Sequence, residues 1–540
     1  MNNTDNTDNT DNSYKRQRAS GSLDKPFDAI VIGSGAGGLT SAALLTLEGQ
    51  RVLVLERHAS AGGCTQVFKR EGFEWDAGLH YMGEVHRAGS GLAKLFERVT
   101  GGRLQWAPMP DVYNKVVIGD RSYDFVSGAA RFAEQMKVYF PAEAQAIDRY
   151  LTLIAGANRA AKAYFADRAL PELASSASHS DTAAEFLSYS RQTVTEVMRG
   201  LTNDPELIAV LCGHYGDYSL LPDDASFAVH AMLIKHYIDG ASFPIGGSGR
   251  IPETITQTVR AAGGQVLVSA EVTRVLVREG RAYGVEMADG TTLEAPVVIS
   301  AIGIGQTLGL LGDADAEGIA ALRAKSGGLR LSQCYVMLNI GLSASNAELA
   351  MDPANLWVHP GNDLAGNYRR YEAEPHKQPF PLHFISQPSA KDPSWPERYP
   401  GRSTVDICSL TDWKVFEPYA QTRWMRRGEP YEVMKQRMTT EMLEQVYRFY
   451  PQTRGKVTHM ELATPLSFNH FLGRSQGDFM SYAQTPERFE QRWMRAHSPV
   501  KCLYFSAQDV AGAGVSGAMV GGMVAASAVL GRDLFKTLRT

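Results

Sequence analysis

Residues 27–38 read FDAIVIGSGAGG, and this stretch decides the fold. An apolar, β-branched run ends abruptly in glycines, and Leu39 to Leu47 then takes helical spacing. Gly33, Gly35 and Gly38 satisfy Gly-x-Gly-x-x-Gly between a strand and a helix, the context that gives the pattern meaning. Gly33 makes the tight turn, Gly35 lets the main chain approach a pyrophosphate, and Gly38 lets the helix pack close to the strand. Ser34, Ala36 and Gly37 complete the turn, whose free N–H groups point at phosphate oxygens.

Working outward, a second strand from Arg51 to Leu55 ends in Glu56, 23 residues after Gly33. A carboxylate there accepts ribose hydroxyls, and its charge repels a 2′-phosphate, so the spacing predicts FAD or NAD rather than NADP. Two features then favour FAD. The glycine pair Gly62-Gly63 suits a main chain curling past an extended cofactor. Near the C-terminus, a strand from Cys502 to Ser506 leads into Asp509 and the start of a glycine-rich helix. An acid followed by a helix N-terminus suits the ribityl chain and pyrimidine edge of a flavin.

The rest of the composition narrows the class. The chain has 540 residues and a net charge of -4, so no overall field draws it to nucleic acid. Cys64, Cys212, Cys334, Cys408 and Cys502 form no CxxC pair, which argues against a structural metal and for a reducing, cytoplasmic setting. Residues 1–24 begin with an Asn-Thr-Asp repeat, lack the apolar run of a secretory leader, and are expected to be a disordered tail. Ala511 to Leu530 carries no charge, but glycines at 512, 514, 517, 521 and 522 predict a buried small-residue helix rather than a membrane span.

The sequence resembles the FAD-dependent phytoene desaturase/carotenoid isomerase superfamily, and within it the all-trans-retinol 13,14-reductase (retinol saturase) branch. The resemblance rests on GSGAGGLTSA from Gly33, GGCTQVF from Gly62, GFEWDAGLHYMGE from Gly72 and YFSAQDVAGAGVSGAMVGG from Tyr504. Two further blocks are specific to this branch: Ala225 to Gly247, and FISQPSAKDPSWPERYPG from Phe384 to Gly401. It covers about residues 27 to 531.

The resemblance implies an α/β architecture, a Rossmann-type FAD-binding domain (GR2-like flavoprotein) interleaved with a mixed α+β substrate or cap domain. The FAD-binding parts are expected at 25–100, 241–310 and 471–540, and the cap parts at 101–240 and 311–470. Cofactor contacts are implied for Arg57, Gly62, Gly63, Gly78, Leu79, His80, Val272, Asp509 and Val515, in addition to the first glycine turn and Glu56. The chain is expected to re-enter the FAD domain through short strands at Gln265 to Val268, Val272 to Arg278, Tyr283 to Met287 and Val297 to Ser300. Gly303-Ile304-Gly305 mimics a second fingerprint, but Gly309 and Gly312 make poor helix material, so no separate NAD(P) domain is expected.

No Gly-x-Ser-x-Gly elbow, Walker loop or HExxH is present, so hydrolysis and phosphoryl transfer lack support. A flavin carries the redox step, while the protein orients a C–C unit, excludes water and moves one proton. The superfamily implies long apolar polyenes, and an unsaturated or branched fatty acyl chain stays equally open. Proton-handling candidates are His80, Tyr81 and Glu84, with Tyr215 and His214 reaching from the cap. Trp424 and Met425, beside Arg423, Arg426 and Arg427, read as a solvated basic helix face or as a peripheral membrane contact. Three readings follow: a saturase or desaturase, a flavin-dependent cis/trans isomerase without net redox, or a non-catalytic lipid carrier. The electron donor or acceptor is not specified by any motif.

Overall fold

The computed structural model describes residues 12–21, 23, 25–171, 183–313 and 318–538. The β-branched runs form one five-stranded parallel sheet in the order Gln265–Leu267, Val52–Leu55, Ala29–Ile32, Val297–Ser300, Leu503–Phe505. Their side chains are buried on both faces, as a parallel sheet covered by helices requires. Strands distant in sequence meet here, so three separate stretches of chain build one nucleotide sheet. A three-stranded antiparallel meander, Val272–Arg278, Arg281–Met287 and Thr292–Glu294, connects two of its strands.

The C-terminal helix is Gly514–Leu530. Its glycines serve packing. A Cβ on Gly522 would lie 2.4 Å from the Gly37 carbonyl oxygen, and one on Gly521 would lie 2.0 Å from that of Ala507. Ser41 Oγ on the first helix, Ala36–Leu47, completes the contact by donating to the Gly522 carbonyl at 3.1 Å. Among the described residues no helix is long and apolar enough to cross a membrane.

A second sheet has seven strands: Val457–Ala463, Cys334–Leu342, Ser403–Thr411, His383–Ser386, Asn355–His359, Val112–Ile118, Arg121–Val126. One face packs an aliphatic cluster against Glu429–Phe449; the other packs Val116, Trp357 and Phe384 against helices of the first cap stretch.

Four expectations need correction. Tyr14–Ala19, placed in a disordered tail, is a helix: Tyr14 N–H bonds the Val268 carbonyl at 3.0 Å, the ring is buried, and Arg18 pairs with Asp289. The polar repeat before it lies outside the described residues. Apolar residues spaced three and four apart from Arg131 to Tyr150 predict a helix there; the structure has two, Ala129–Tyr139 and Ala144–Asp167, broken by Pro141. Gly303, with φ +104°, does open a short helix, Ile304–Leu310, but the strand before it belongs to the one nucleotide sheet. Finally, Trp424 and Met425 cap a tight turn closed by an Arg423–Arg426 bridge rather than riding a helix, and Trp424 stacks on His470.

Candidate active site

The glycine turn sits where the first strand meets its helix. Gly33 has φ +92°, which a side chain would strain, and a Cβ on Gly38 would lie 2.1 Å from the Gly33 carbonyl oxygen. Around Gly35 a Cβ would meet nothing within 4 Å, so the turn opens onto space at the point where a pyrophosphate needs close main-chain approach. Glu56, at the end of the second strand, locks this turn. Its Oε2 accepts from Ser34 N–H at 3.0 Å and Ser34 Oγ–H at 2.7 Å, and its Oε1 accepts from His58 N–H at 2.8 Å. Ser34 Oγ also accepts from Gly62 N–H at 3.0 Å, which ties the second glycine pair to the first.

From there a continuous set of contacts leads into the interior. A Cβ on Gly63 would lie 3.1 Å from Gly35 Cα, and one on Gly78 would lie 3.2 Å from Cys64 Cβ and 3.6 Å from the Phe479 ring. Gly35, Cys64, Gly78, His80, Cys408 and Phe479 are all half-buried, as are Gly514 and Val515 at the start of the C-terminal helix. Leu79 is buried. That helix has no side-chain N-cap, so its first N–H groups are free to meet an acceptor.

Asp509 stands beside it. Its Oδ2 accepts from Ile304 N–H at 2.7 Å, whereas its buried Oδ1 takes no hydrogen bond from the described residues. A buried carboxylate oxygen without a donor is costly, and a ribityl hydroxyl would supply the missing donor. Open space at Gly35, an uncapped helix start and the orphaned Asp509 oxygen together fit an extended FAD. Val272 lies half-buried at the edge of the meander, next to the chain that pairs Ala270 N–H with the Glu56 carbonyl at 2.7 Å. Arg57 is exposed and donates to the His470 carbonyl at 3.1 Å.

Of the five proton-handling candidates, His80 and Tyr81 come together. His80 Nδ1 lies 3.6 Å from Asp406 Oδ2, its Nε2 lies 3.9 Å from Cys408 Sγ, and its ring meets Phe384 edge-on. Burial, with Lys391 adding to it, pushes His80 down to about 3, so the ring is neutral at pH 7. Tyr81 stacks on Tyr237 and donates to Asp217 Oδ2 at 2.7 Å. Burial raises Asp217 to about 7, and the bond from Tyr81 opposes that rise.

A hydrogen-bonded chain links the two. Lys391 Nζ donates to the His80 carbonyl at 3.0 Å, to Ser386 Oγ at 2.6 Å and to Asn355 Oδ1. Asn355 Nδ2 donates to Asn114 Oδ1 at 2.9 Å, and Asn114 Nδ2 donates to the Tyr81 hydroxyl at 3.4 Å. Burial lowers Lys391 to about 7, with Asp406 and Asp76 opposing that fall.

Glu84 and Tyr215 are placed elsewhere. Glu84 faces Lys235 at 3.8 Å and His236 at 3.9 Å, and its carboxyl is held below its usual range despite burial, chiefly by the His236 hydrogen bond. Tyr215 is fully buried beside the His359 ring, with a hydroxyl that finds no partner among the described residues. His214 packs between Phe125 and Trp357.

Sequence reasoning missed Lys391, Asp406, Asp217, Asn114 and Asn355. One signal was available for Asp406: it is the only charged residue in the otherwise apolar or small run Ser403–Thr411.

Comparison with known proteins adds the following. Residues 36–327 match the family of flavin containing amine oxidoreductases. The chain is 34% identical over 532 residues to a Danio rerio protein named all-trans-retinol 13,14-reductase, covering 95% of this chain and 87% of that one. It is 31% identical to a second Danio rerio protein named inactive all-trans-retinol 13,14-reductase, covering 96% of this chain and 88% of that one. Among solved structures, putrescine oxidase bound to putrescine superposes with a TM-score of 0.62 at 13% identity, over 94% of this chain and all of that one, which speaks to the fold alone.

Proposed function

The chain belongs to the flavin containing amine oxidoreductase family, among the all-trans-retinol 13,14-reductases, and we propose that it saturates a C=C bond of an apolar polyene. It is an FAD-dependent oxidoreductase. Bound FAD supplies a hydride equivalent; the chain's own residues do the rest. Glu56 and the Gly33–Gly38 turn hold the dinucleotide end. Asp509 and the start of Gly514–Leu530 hold the other. Phe384, Trp357 and Cys408, in one row of the cap sheet, provide an apolar wall for a flat conjugated chain. His80 is the group at that wall that carries a proton.

The observation that carries this reading is the unbroken run of half-buried contacts from Gly35 through Cys64 and Gly78 to His80 and Cys408. It brings a nucleotide turn and a ring that can hold a proton to one apolar row of the cap sheet. A second reading, a lipid carrier that keeps FAD without turnover, is favoured by the relative named inactive. Incubating the dithionite-reduced protein with all-trans-retinol and weighing the extracted lipid separates them. A gain of two hydrogens supports saturation; unchanged retinol that co-purifies with the protein supports the carrier; unchanged retinol that does not bind removes the retinoid substrate.

A further inference from the structure

The registers of the seven-stranded sheet line up a polar row on the face that carries His80. Asn114 stands opposite Asn355, Ser386 opposite Asp406, Asp406 opposite Asn339, and Asn339 opposite Glu461. Two residues along each strand, on the same face, the row is apolar and includes Trp357, Phe384, Cys408 and Met337. A polar row through a buried sheet is expensive unless each member is satisfied. Lys391 satisfies Asn355 and Ser386. Asn339 donates to the Glu461 carbonyl at 3.4 Å but leaves its Oδ1 without a partner, and Asp406 goes further: it is fully buried, and neither oxygen takes a hydrogen bond from the described residues.

The groups facing Asp406 are few. His80 Nδ1, also unpartnered, is at 3.6 Å, Asp76 and Lys391 act on Asp406 by charge, Glu74 acts in turn on Asp76, and the neutral Cys408 thiol is pushed up by burial and by Asp406. Burial drives the Asp406 carboxyl well above the usual range, Asp76 adding to it and Lys391 opposing. An unpaired carboxylate here would be strongly destabilising, whereas a carboxylic acid needs only the acceptor that His80 Nδ1 offers.

We propose that Asp406 and His80 form a proton store for the saturation, and that Lys391 is a positioning residue that fixes the His80 main chain at the cleft. The inference rests on the reading that saturation occurs beside His80. Adding two hydrogens to C=C takes a hydride equivalent, supplied by the reduced cofactor, and one proton from the chain. That proton leaves His80 Nε2 for the second carbon, so one N–H bond breaks and one C–H bond forms. The Asp406 proton moves to Nδ1 in the same exchange. Asp406 is left as a carboxylate facing the Lys391 ammonium; once product leaves, His80 Nε2 takes a solvent proton and the Nδ1 proton returns to Asp406, which restores the starting state.

The test uses the full-length holoprotein with carbon-13-labelled aspartate, read by infrared difference spectroscopy at neutral pH. Wild type should show a protonated-carboxyl band that Asp406→Asn lacks. Persistence of the same bands in Asp406→Asn would mean that Asp406 is ionised, and the store would fall. Lys391→Met, or Lys391→Gln if the first does not fold, should keep that band to higher pH, because the cation that favours the carboxylate is gone; an unchanged titration would remove Lys391 from the device. In anaerobic reoxidation by retinol, Asp406→Asn should retain FAD and lose about tenfold or more in the limiting rate with KM little changed. If wild type itself fails to reoxidise, the functional reading fails, while the band still reports on the store.

Discussion

Lys391 Nζ donates to the carbonyl oxygen of His80 at 3.0 Å, joining residues 311 apart in the chain. One ammonium thereby fixes the main chain of the nucleotide-side segment that carries His80 and, through Asn355 and Asn114, the Tyr81 hydroxyl on the cap side. With all three of its donors used, Lys391 holds the cleft together rather than reacting in it.

The glycine turn gives the simplest prediction. Valine at position 38 would drive its Cβ into the Gly33 carbonyl, so Gly38→Val should lose roughly 2 kcal/mol or more of stability and purify without flavin. Thermal melting and the flavin-to-protein absorbance ratio check both.

Asp509 tests the other end of the cofactor. Asp509→Ala removes the oxygen left for a ribityl hydroxyl and the acceptor for Ile304 N–H. FAD affinity should fall by about ten- to a hundredfold, as expected for a hydrogen bond to a charged group. Titrating FAD into the deflavinated protein measures it, and an unchanged Kd would place the flavin elsewhere.

Cys408 tests the apolar wall. Its half-buried thiol faces His80, and Cys408→Trp should fill the space beside the ring. Flavin content should stay normal while retinol turnover drops at least about tenfold, since the substitution blocks a substrate path and not the nucleotide turn.

Buried histidines set the response to acid. His80, His214, His230 and His383 are pushed down to about 3, and His359 to about 4, each chiefly by burial. Between those values and the unfolded value near 6.5, the unfolded chain binds more protons than the folded one, so stability rises with pH in that window. Stability should therefore fall as pH drops below about 6.5, the proton uptake of the five histidines on unfolding being partly offset by Asp76, Asp217 and Asp406, whose raised carboxyls hold protons in the folded chain and release them on unfolding. Denaturant midpoints measured between pH 7 and pH 5 give the net slope, and stability that rises as pH falls through this range would mean that these rings are not buried neutral.

Sequence made the nucleotide half readable because its chemistry is local. Gly33 to Gly38 and Glu56 lie within one strand–helix–strand unit, and their spacing carries their roles. The cap half is assembled from long-range pairings instead. Asp406 meets His80 only because the registers of Ser403–Thr411 and His383–Ser386 put it beside Ser386, from which Lys391 reaches back to the earlier segment. No spacing rule connects residues 80, 391 and 406. Tyr215 shows the converse: it sits next to Asp217 in a conspicuous aromatic run, yet the short 3₁₀ turn Tyr215–Tyr218 sends Asp217, not Tyr215, to Tyr81.

The central claim is that reduced flavin in this protein gives its electrons to a polyene. The most direct test is an anaerobic stopped-flow experiment: reduce the bound flavin with one equivalent of dithionite, mix with all-trans-retinol, and follow the flavin spectrum. The oxidised spectrum should return together with loss of polyene absorbance, at equal stoichiometry. A flavin that stays reduced with retinol but reoxidises readily in air would contradict it.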